Sequence, residues 1–403
     1  MRTHTPALKQ LQHTIRKALQ PAPGGSTRRD FLRSAAGAVG GLALTRQQAQ
    51  SAPSPSNLQV GIVGAGLAGL ACADELRKAG IRATLYEGSS RAGGRCQSFG
   101  GSNLFPGQVV ELGGELIDNL HKTMLAYAKE FRLTVEDVGK QPGEVFYYFD
   151  HLSDKPIPEA KVVEEFRAFT PAMRADIRRL SPEPSALQWT PDDQKLDWMS
   201  LREYLDSRRA GPIVKAAVEQ AYVAEYGRST EDQSCLNFLL FIHADRRSKF
   251  TPFGVFSDER YHIVEGNEEI PRRLAARLHP GQLVTNRVLT AASKTAAGKV
   301  KLAFAGGATA IHDVVVFAIP FTTLAAVDLG GLGLSAAKMH AIENLGYGFN
   351  AKMMVGFHRP YWRELGGDGS SYSTLPNHQA TWETNPTLAN STRAVLTDYW
   401  SGE

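Results

Sequence analysis

The stretch Val60-Gly61-Ile62-Val63-Gly64-Ala65-Gly66-Leu67-Ala68-Gly69-Leu70 constrains the fold of this chain more than any other. A mostly apolar run, Leu58 to Val63, predicts a buried strand that breaks at the glycines. Leu67 to Lys78 then predicts a helix ending at Gly80, and Ile81 to Tyr86 a second strand closed by Glu87. Each glycine has a steric reason. Gly64 permits the tight turn, Gly66 lets backbone approach a pyrophosphate, and Gly69 lets the helix lie close to the strand. The helix opens at Leu67 and Ala68, where free N–H groups and the helix dipole favour phosphate charge. Glu87 lies 18 residues past Gly69, where a carboxylate can accept hydrogen bonds from a ribose hydroxyl. A lone glycine triplet would be an ordinary turn. Strand, turn, helix, strand and acid in this order predict a dinucleotide-binding unit.

The next residues, Glu87-Gly88-Ser89-Ser90-Arg91-Ala92-Gly93-Gly94-Arg95, bear on which dinucleotide. Here the chain resembles the flavin-containing amine oxidases, whose first FAD motif continues from the acid into an Arg-x-Gly-Gly-Arg turn. The resemblance implies FAD. It places Gly88 in the cofactor motif, Gly93 and Gly94 beside the cofactor, and Arg91 and Arg95 at its phosphates. Val109 to Ile117 resembles the family's segment past the flavin ring, which implies close approach at Gly113, Gly114 and Glu115. The family's L-amino-acid oxidases place an arginine near here for the substrate carboxylate. This chain has Glu115 and Leu116, so an amine without a carboxylate is expected.

The first fifty residues differ from the rest. They hold eight Lys or Arg against one acid, Asp30, so a chain of net charge +4 carries −3 over the remainder. Thr27-Arg28-Arg29-Asp30-Phe31-Leu32-Arg33 looks like a twin-arginine signal, followed by the small apolar run Ser34 to Leu44 and by small side chains at Ala49 to Ala52. That run is too short to anchor stably in a bilayer. Residues 1–52 are therefore expected to direct export to the periplasm or beyond, ahead of a linker. Three cysteines show neither metal spacing nor a disulfide framework, and no nucleic-acid signature is present.

Prolines punctuate helical patterns such as Val162 to Leu180, and Tyr222 to His243 looks like the family's substrate-domain helices. Tyr261 to Ile270 resembles the turn back into the FAD domain, and Val288 matches the position whose backbone meets the adenine in relatives. Val314 to Ile319 reads as a buried strand stopped by Pro320. In Gly346 to Phe357, Lys352 interrupts an apolar strand, and burying an ammonium without a partner is costly. The family has a lysine at this place, ahead of a Pro-aromatic-Trp sequence such as Pro360-Tyr361-Trp362, where it holds a water against flavin N5. Lys352 is thus the single catalytic candidate.

The expected fold is α/β: a FAD-binding Rossmann-like domain (57–140 and 266–335) with an inserted mixed α+β substrate domain (141–265 and 336–403). Nothing after Lys352 matches the family's closing FAD segment, so the chain reads as C-terminally truncated. The resemblance implies oxidation of a primary amine or polyamine to an imine and then an aldehyde, with O2 reduced to H2O2. Three alternatives stand beside it: an inactive fragment or a subunit completed by a partner chain, an L-amino-acid oxidase, and a desaturase-like flavoenzyme. No metal is expected, and a homodimer or a complementing C-terminal chain are the assemblies left open.

Overall fold

The computed structural model describes residues 58–100, 104–138, 142–181, 184–185, 187–242, 259–385 and 393–401. The export signal and His243 lie outside the described residues. Two compact units result, one of residues up to Ala92 with Arg273–Leu334, the other of Gly93–Arg272 with Ser335–Glu403.

The first unit is built on a parallel four-stranded sheet in the order Val314–Phe317, Val60–Val63, Ala83–Tyr86, Leu283–Val284. Val60–Val63 is central and wholly buried, as a continuous apolar run in a parallel sheet must be. The helix Leu67–Lys78 follows it directly, and the turn between them shows why small residues are required. Gly64 sits at φ +99°, and a Cβ on Gly69 would lie 1.9 Å from the Gly64 carbonyl oxygen. Near the helix C-terminus the buried Asp74 gathers Arg77, Lys78 and Arg277. Burial alone would raise its pKa, but the three cations outweigh it and hold the carboxyl at about 2. A second, antiparallel sheet of Leu289–Lys294, Val300–Phe304 and Thr309–His312 completes this unit.

The second unit pairs a mixed five-stranded sheet with helices. Its order is Asn350–Phe357, Ala394–Ser401, His378–Glu383, Gly367–Leu375, Glu144–Tyr148. Register fixes the two faces. Lys352 lies opposite Tyr399, Tyr399 opposite Ala380, Ala380 opposite Tyr372 and Tyr372 opposite Tyr147, so these five share one face. Tyr147 and Tyr372 stack at 5.9 Å and join the core that Glu159–Ile177, Leu201–Ser207, Pro212–Tyr226 and Cys235–Ile242 build with Phe166, Met173, Tyr204, Tyr222 and Phe238. Pro171 sits inside the first of these helices without ending it. The other sheet face carries Phe146, Ser371, Thr381, Asp398 and Leu396.

The compact division falls at Ala92/Gly93 rather than near residue 140, the first domain boundary expected from the sequence. The physical reason is strand pairing: Val135–Asp137 pairs with Tyr261–Ile263 and buries a Glu136–His262 hydrogen bond, tying 93–138 to the second unit. The other two divisions fall at Arg272/Arg273 and Leu334/Ser335. Among the described residues no helix is long and apolar enough to cross a membrane, and no group of three His, Cys, Asp or Glu could hold a metal ion.

Candidate active site

In the first unit the turn after Val63 presents backbone. Gly66 caps the helix in an extended conformation without any side-chain hydrogen bond, so no residue of the turn fills the N–H groups that Leu67 and Ala68 open. Glu87 does two jobs at the end of its strand. One carboxylate oxygen accepts the Ala65 N–H at 2.8 Å, bracing the glycine turn, and the other accepts the Ser89 N–H and hydroxyl at 2.9 Å. A carboxylate has about four lone-pair positions, so capacity for a ribose hydroxyl remains. Beside it, the Asn286 N–H donates to the Ser89 carbonyl and the Arg287 N–H to the Glu87 carbonyl, at 2.9 and 2.8 Å. This brings Val288, half exposed, over Gly88, where an added Cβ would touch Val288 Cγ2 at 3.7 Å. Val288 precedes the strand Leu289–Lys294 instead of lying in one. Arg91 donates to the Ala92 carbonyl at 3.3 Å. The chemistry of this cradle, bare amides at a helix start with a carboxylate and an exposed backbone edge nearby, fits the diphosphate and ribose of a dinucleotide.

In the second unit Gly93 and Gly94 take φ +110° and +57°, values that favour glycine, and Arg95 next to them is exposed. The Gly94–Gly114 region is tightly bound: Gly114 N–H donates to the Arg95 carbonyl at 3.1 Å, and a Cβ on Gly113 would lie 1.8 Å from that oxygen. Asn267, 2% exposed, holds the same strip from the other side. Its Nδ2 donates to the carbonyls of Gly114 and Glu115 at 3.0 and 2.7 Å, and its N–H donates to Glu111 Oε1 at 2.7 Å.

Lys352 reaches into this strip. Its Nζ donates to the carbonyls of Glu111 and Gly113 at 2.9 and 3.1 Å and to Glu115 Oε2 at 2.5 Å. Trp382 Nε1 donates to the other oxygen of Glu115 at 2.7 Å, and the ammonium lies 5.8 Å from the Trp382 ring centroid. Lysine and glutamate side chains are 11% and 3% exposed. Two candidates from the sequence meet here. Glu115 is the counter-ion of Lys352, because a buried ammonium needs a buried anion. Lys352 directs its three protons to protein oxygens.

Glu111 is a functional group that the sequence reading passed over. It is 1% exposed, and burial pushes its carboxyl up to about 7, aided by the nearby Glu115 charge. The Asn267 N–H, the Ser98 hydroxyl and Lys352 oppose that rise. The available signal was an acid closing the short strand Val109–Glu111 just before a glycine pair. Trp382 gave no signal, since an aromatic in an alternating strand is ordinary.

A family model for flavin-containing amine oxidoreductases matches residues 67–403. The chain belongs to that family. That family is flavin-containing, so FAD is the dinucleotide of the glycine turn. The L-amino-acid oxidase of Bungarus fasciatus is 23% identical over 361 residues, covering 84% of this chain and 66% of that protein. The nicotine dehydrogenase of Pseudomonas putida is 25% identical over 343 residues, with 82% and 69% covered. The chain spans 66% and 64% of the lengths of the L-amino-acid oxidases of Bungarus fasciatus and Pseudechis australis. Among solved structures, putrescine oxidase bound to putrescine superposes with TM-score 0.72 at 19% identity, covering 86% of this chain and 76% of that one. Cyclohexylamine oxidase from Brevibacterium oxydans gives the same TM-score and identity, with 86% and 75% covered. These likenesses show the α/β fold of the family.

Proposed function

We propose that this protein oxidises an amine lacking a carboxylate, with FAD as cofactor and O2 as the terminal acceptor. The observation that carries the reading is the buried Lys352–Glu115 pair on the Gly113–Gly114 strip, together with the glycine cradle of the first unit. Bound FAD supplies two-electron redox chemistry, taking a hydride equivalent from the carbon next to nitrogen and passing two electrons to O2 as H2O2. The remaining roles belong to the chain. In the first unit the amides of Leu67 and Ala68 hold phosphate, Glu87 holds ribose, the Val288 backbone borders the adenine, and Arg91 serves the diphosphate. Lys352 fixes positive charge at a set position. Its charge is answered by Glu115, so the pair presents no unmatched cation to a substrate carboxylate, which suits an amine better than an amino acid. Imine hydrolysis by water yields the carbonyl product.

The names of relatives point both ways, to L-amino-acid oxidases and to oxidases of putrescine and cyclohexylamine. The test is anaerobic mixing of the FAD-loaded chain with putrescine, cyclohexylamine and L-leucine, followed at the flavin absorption band, with peroxide measured after O2 is admitted. Bleaching by an amine and not by leucine supports the reading; bleaching by leucine alone replaces it with amino-acid oxidation. We further propose export by the twin-arginine route on the strength of Arg28-Arg29, tested by the double change Arg28→Lys and Arg29→Lys with cell fractionation. Unchanged periplasmic yield would refute that address.

A further inference from the structure

The sheet face opposite Lys352 bears a cavity of about 410 Å3, within the size range of small-molecule sites. Phe146, Tyr148, Phe357, Trp362 and Leu396 give it apolar and aromatic walls. Phe357 and Trp362 meet edge to face at 5.4 Å, so these two rings brace each other. Across the floor runs a polar seam. Thr381 Oγ1 lies 2.7 Å from Ser371 Oγ, Ser371 Oγ lies 2.9 Å from His378 Nε2, and His378 Nδ1 lies 3.5 Å from Asp398 Oδ1.

Glu383 and Asp398, both on this face, are treated differently. Glu383 accepts from Trp362 Nε1 at 2.9 Å and from the Arg363 guanidinium at 2.7 and 2.8 Å, so its charge is answered. Asp398 Oδ1 is buried and has no hydrogen-bond partner, although its side chain is only 12% exposed. His378 supplies proximity without a hydrogen bond. A buried carboxylate oxygen without a donor is costly, and a cationic N–H or N-alkyl group in the cavity would offset that cost.

We propose that this cavity is a second binding site, separate from the Lys352 strip, for an aryl-ammonium cation. The aromatic walls contribute cation–π attraction and Asp398 supplies the counter-charge. Ser371 and Thr381 are turned toward each other and His378, and His378 stands 3.5 Å from the Asp398 carboxylate. The site is independent of the proposed oxidation, since the sheet register puts Val355, Leu396 and Asp398 on one face and Lys352 on the other.

Phenyltrimethylammonium is the probe, because a quaternary nitrogen cannot be oxidised to an imine. Its binding to the FAD-loaded chain is measured by titration calorimetry, beside the neutral isostere tert-butylbenzene. The expected results are sub-millimolar binding of the cation, at least tenfold weaker binding of the isostere, and at least tenfold loss of the cation in Asp398→Asn. Val355, 36% exposed, lines the cavity, so Val355→Trp is expected to fill it and abolish binding while leaving the fold intact. If Asp398→Asn fails to fold, Val355→Trp decides alone. No binding at 10-fold higher concentrations, equal binding of the isostere, or unchanged affinity in either folded variant overturns the site.

Discussion

Lys352→Met removes the ammonium from a pair in which both side chains are nearly sealed, 11% and 3% exposed. Glu115 then keeps its Trp382 donor at 2.7 Å and a distant Thr397 hydroxyl at 3.4 Å, but loses the charge that justified its burial. Breaking a buried pair at one partner costs about 3–5 kcal/mol, and the surviving indole donor places this case near 3. Glu115→Gln is the complementary change. The amide still accepts from Trp382, while Lys352 is left with two backbone carbonyls, for a loss of roughly 2–3 kcal/mol. Because each single variant strands a charge that the other removes, the double variant should lose no more than about 3 kcal/mol, well below the sum. The assay is urea unfolding of the flavin-free protein, followed by tryptophan fluorescence and far-ultraviolet circular dichroism, with the midpoint and slope fitted separately. Additivity within about 0.5 kcal/mol would refute the argument, since it would mean that the two charges do not share a low-dielectric site.

Glu111 makes stability pH-dependent. Its folded-state pKa of about 7 exceeds the ordinary 4.5, so between those values the folded protein holds a proton that the unfolded chain has released. Stability from this group therefore falls as pH rises from about 4.5 to 7 and is flat above, and Glu111→Gln should gain on the wild type by on the order of 3 kcal/mol at pH 8 but little at pH 4.5; parallel urea midpoints across that range would count against it. Gly69→Ala, with a Cβ 1.9 Å from the Gly64 carbonyl, should deform the turn and abolish FAD retention on desalting, whereas Gly346→Ala, in open space, should keep it; equal flavin content in the two would sink the cradle argument. Arg208→Leu leaves the buried Asp176 with the Tyr204 hydroxyl at 3.0 Å and the exposed Arg179 at 4.0 Å, and should cost roughly 3 kcal/mol; a shift of the urea midpoint worth under 1 kcal/mol would show that those two suffice.

The glycine turn was legible because its constraint is local: backbone geometry at Gly64 and the approach of Gly69 are decided within a few residues. Lys352 was legible as an anomaly, an ammonium in an apolar strand, but its answer was not. Glu115 lies 237 residues away, and only the folded pairing shows that the acid after the glycine pair serves the lysine. The compact division at Ala92/Gly93 was hidden for the same reason, since the pairing of Val135–Asp137 with Tyr261–Ile263 leaves no mark in either short strand. Asp398 and His378 sit in strands whose alternation of small, polar and aromatic residues reads as an ordinary two-faced sheet, so the cavity they floor has no linear signature.

The central strand Val60–Val63 takes one neighbour from about 20 residues away and the other, Val314–Phe317, from about 250. During synthesis the first half of the cofactor turn therefore leaves the ribosome long before the strand that completes its sheet. Closing such a loop costs roughly 5 kcal/mol of chain entropy when the intervening residues are unstructured, and less once they have condensed. The second unit is threaded the same way, with four of its five main strands emerging after residue 349. The first unit must wait for residues beyond Arg273 and the second for strands beyond residue 349, so both mature late in synthesis. A partial chain would leave one apolar edge of Val60–Val63 unpaired for most of its synthesis, an edge open to wrong strand partners until Val314–Phe317 arrives.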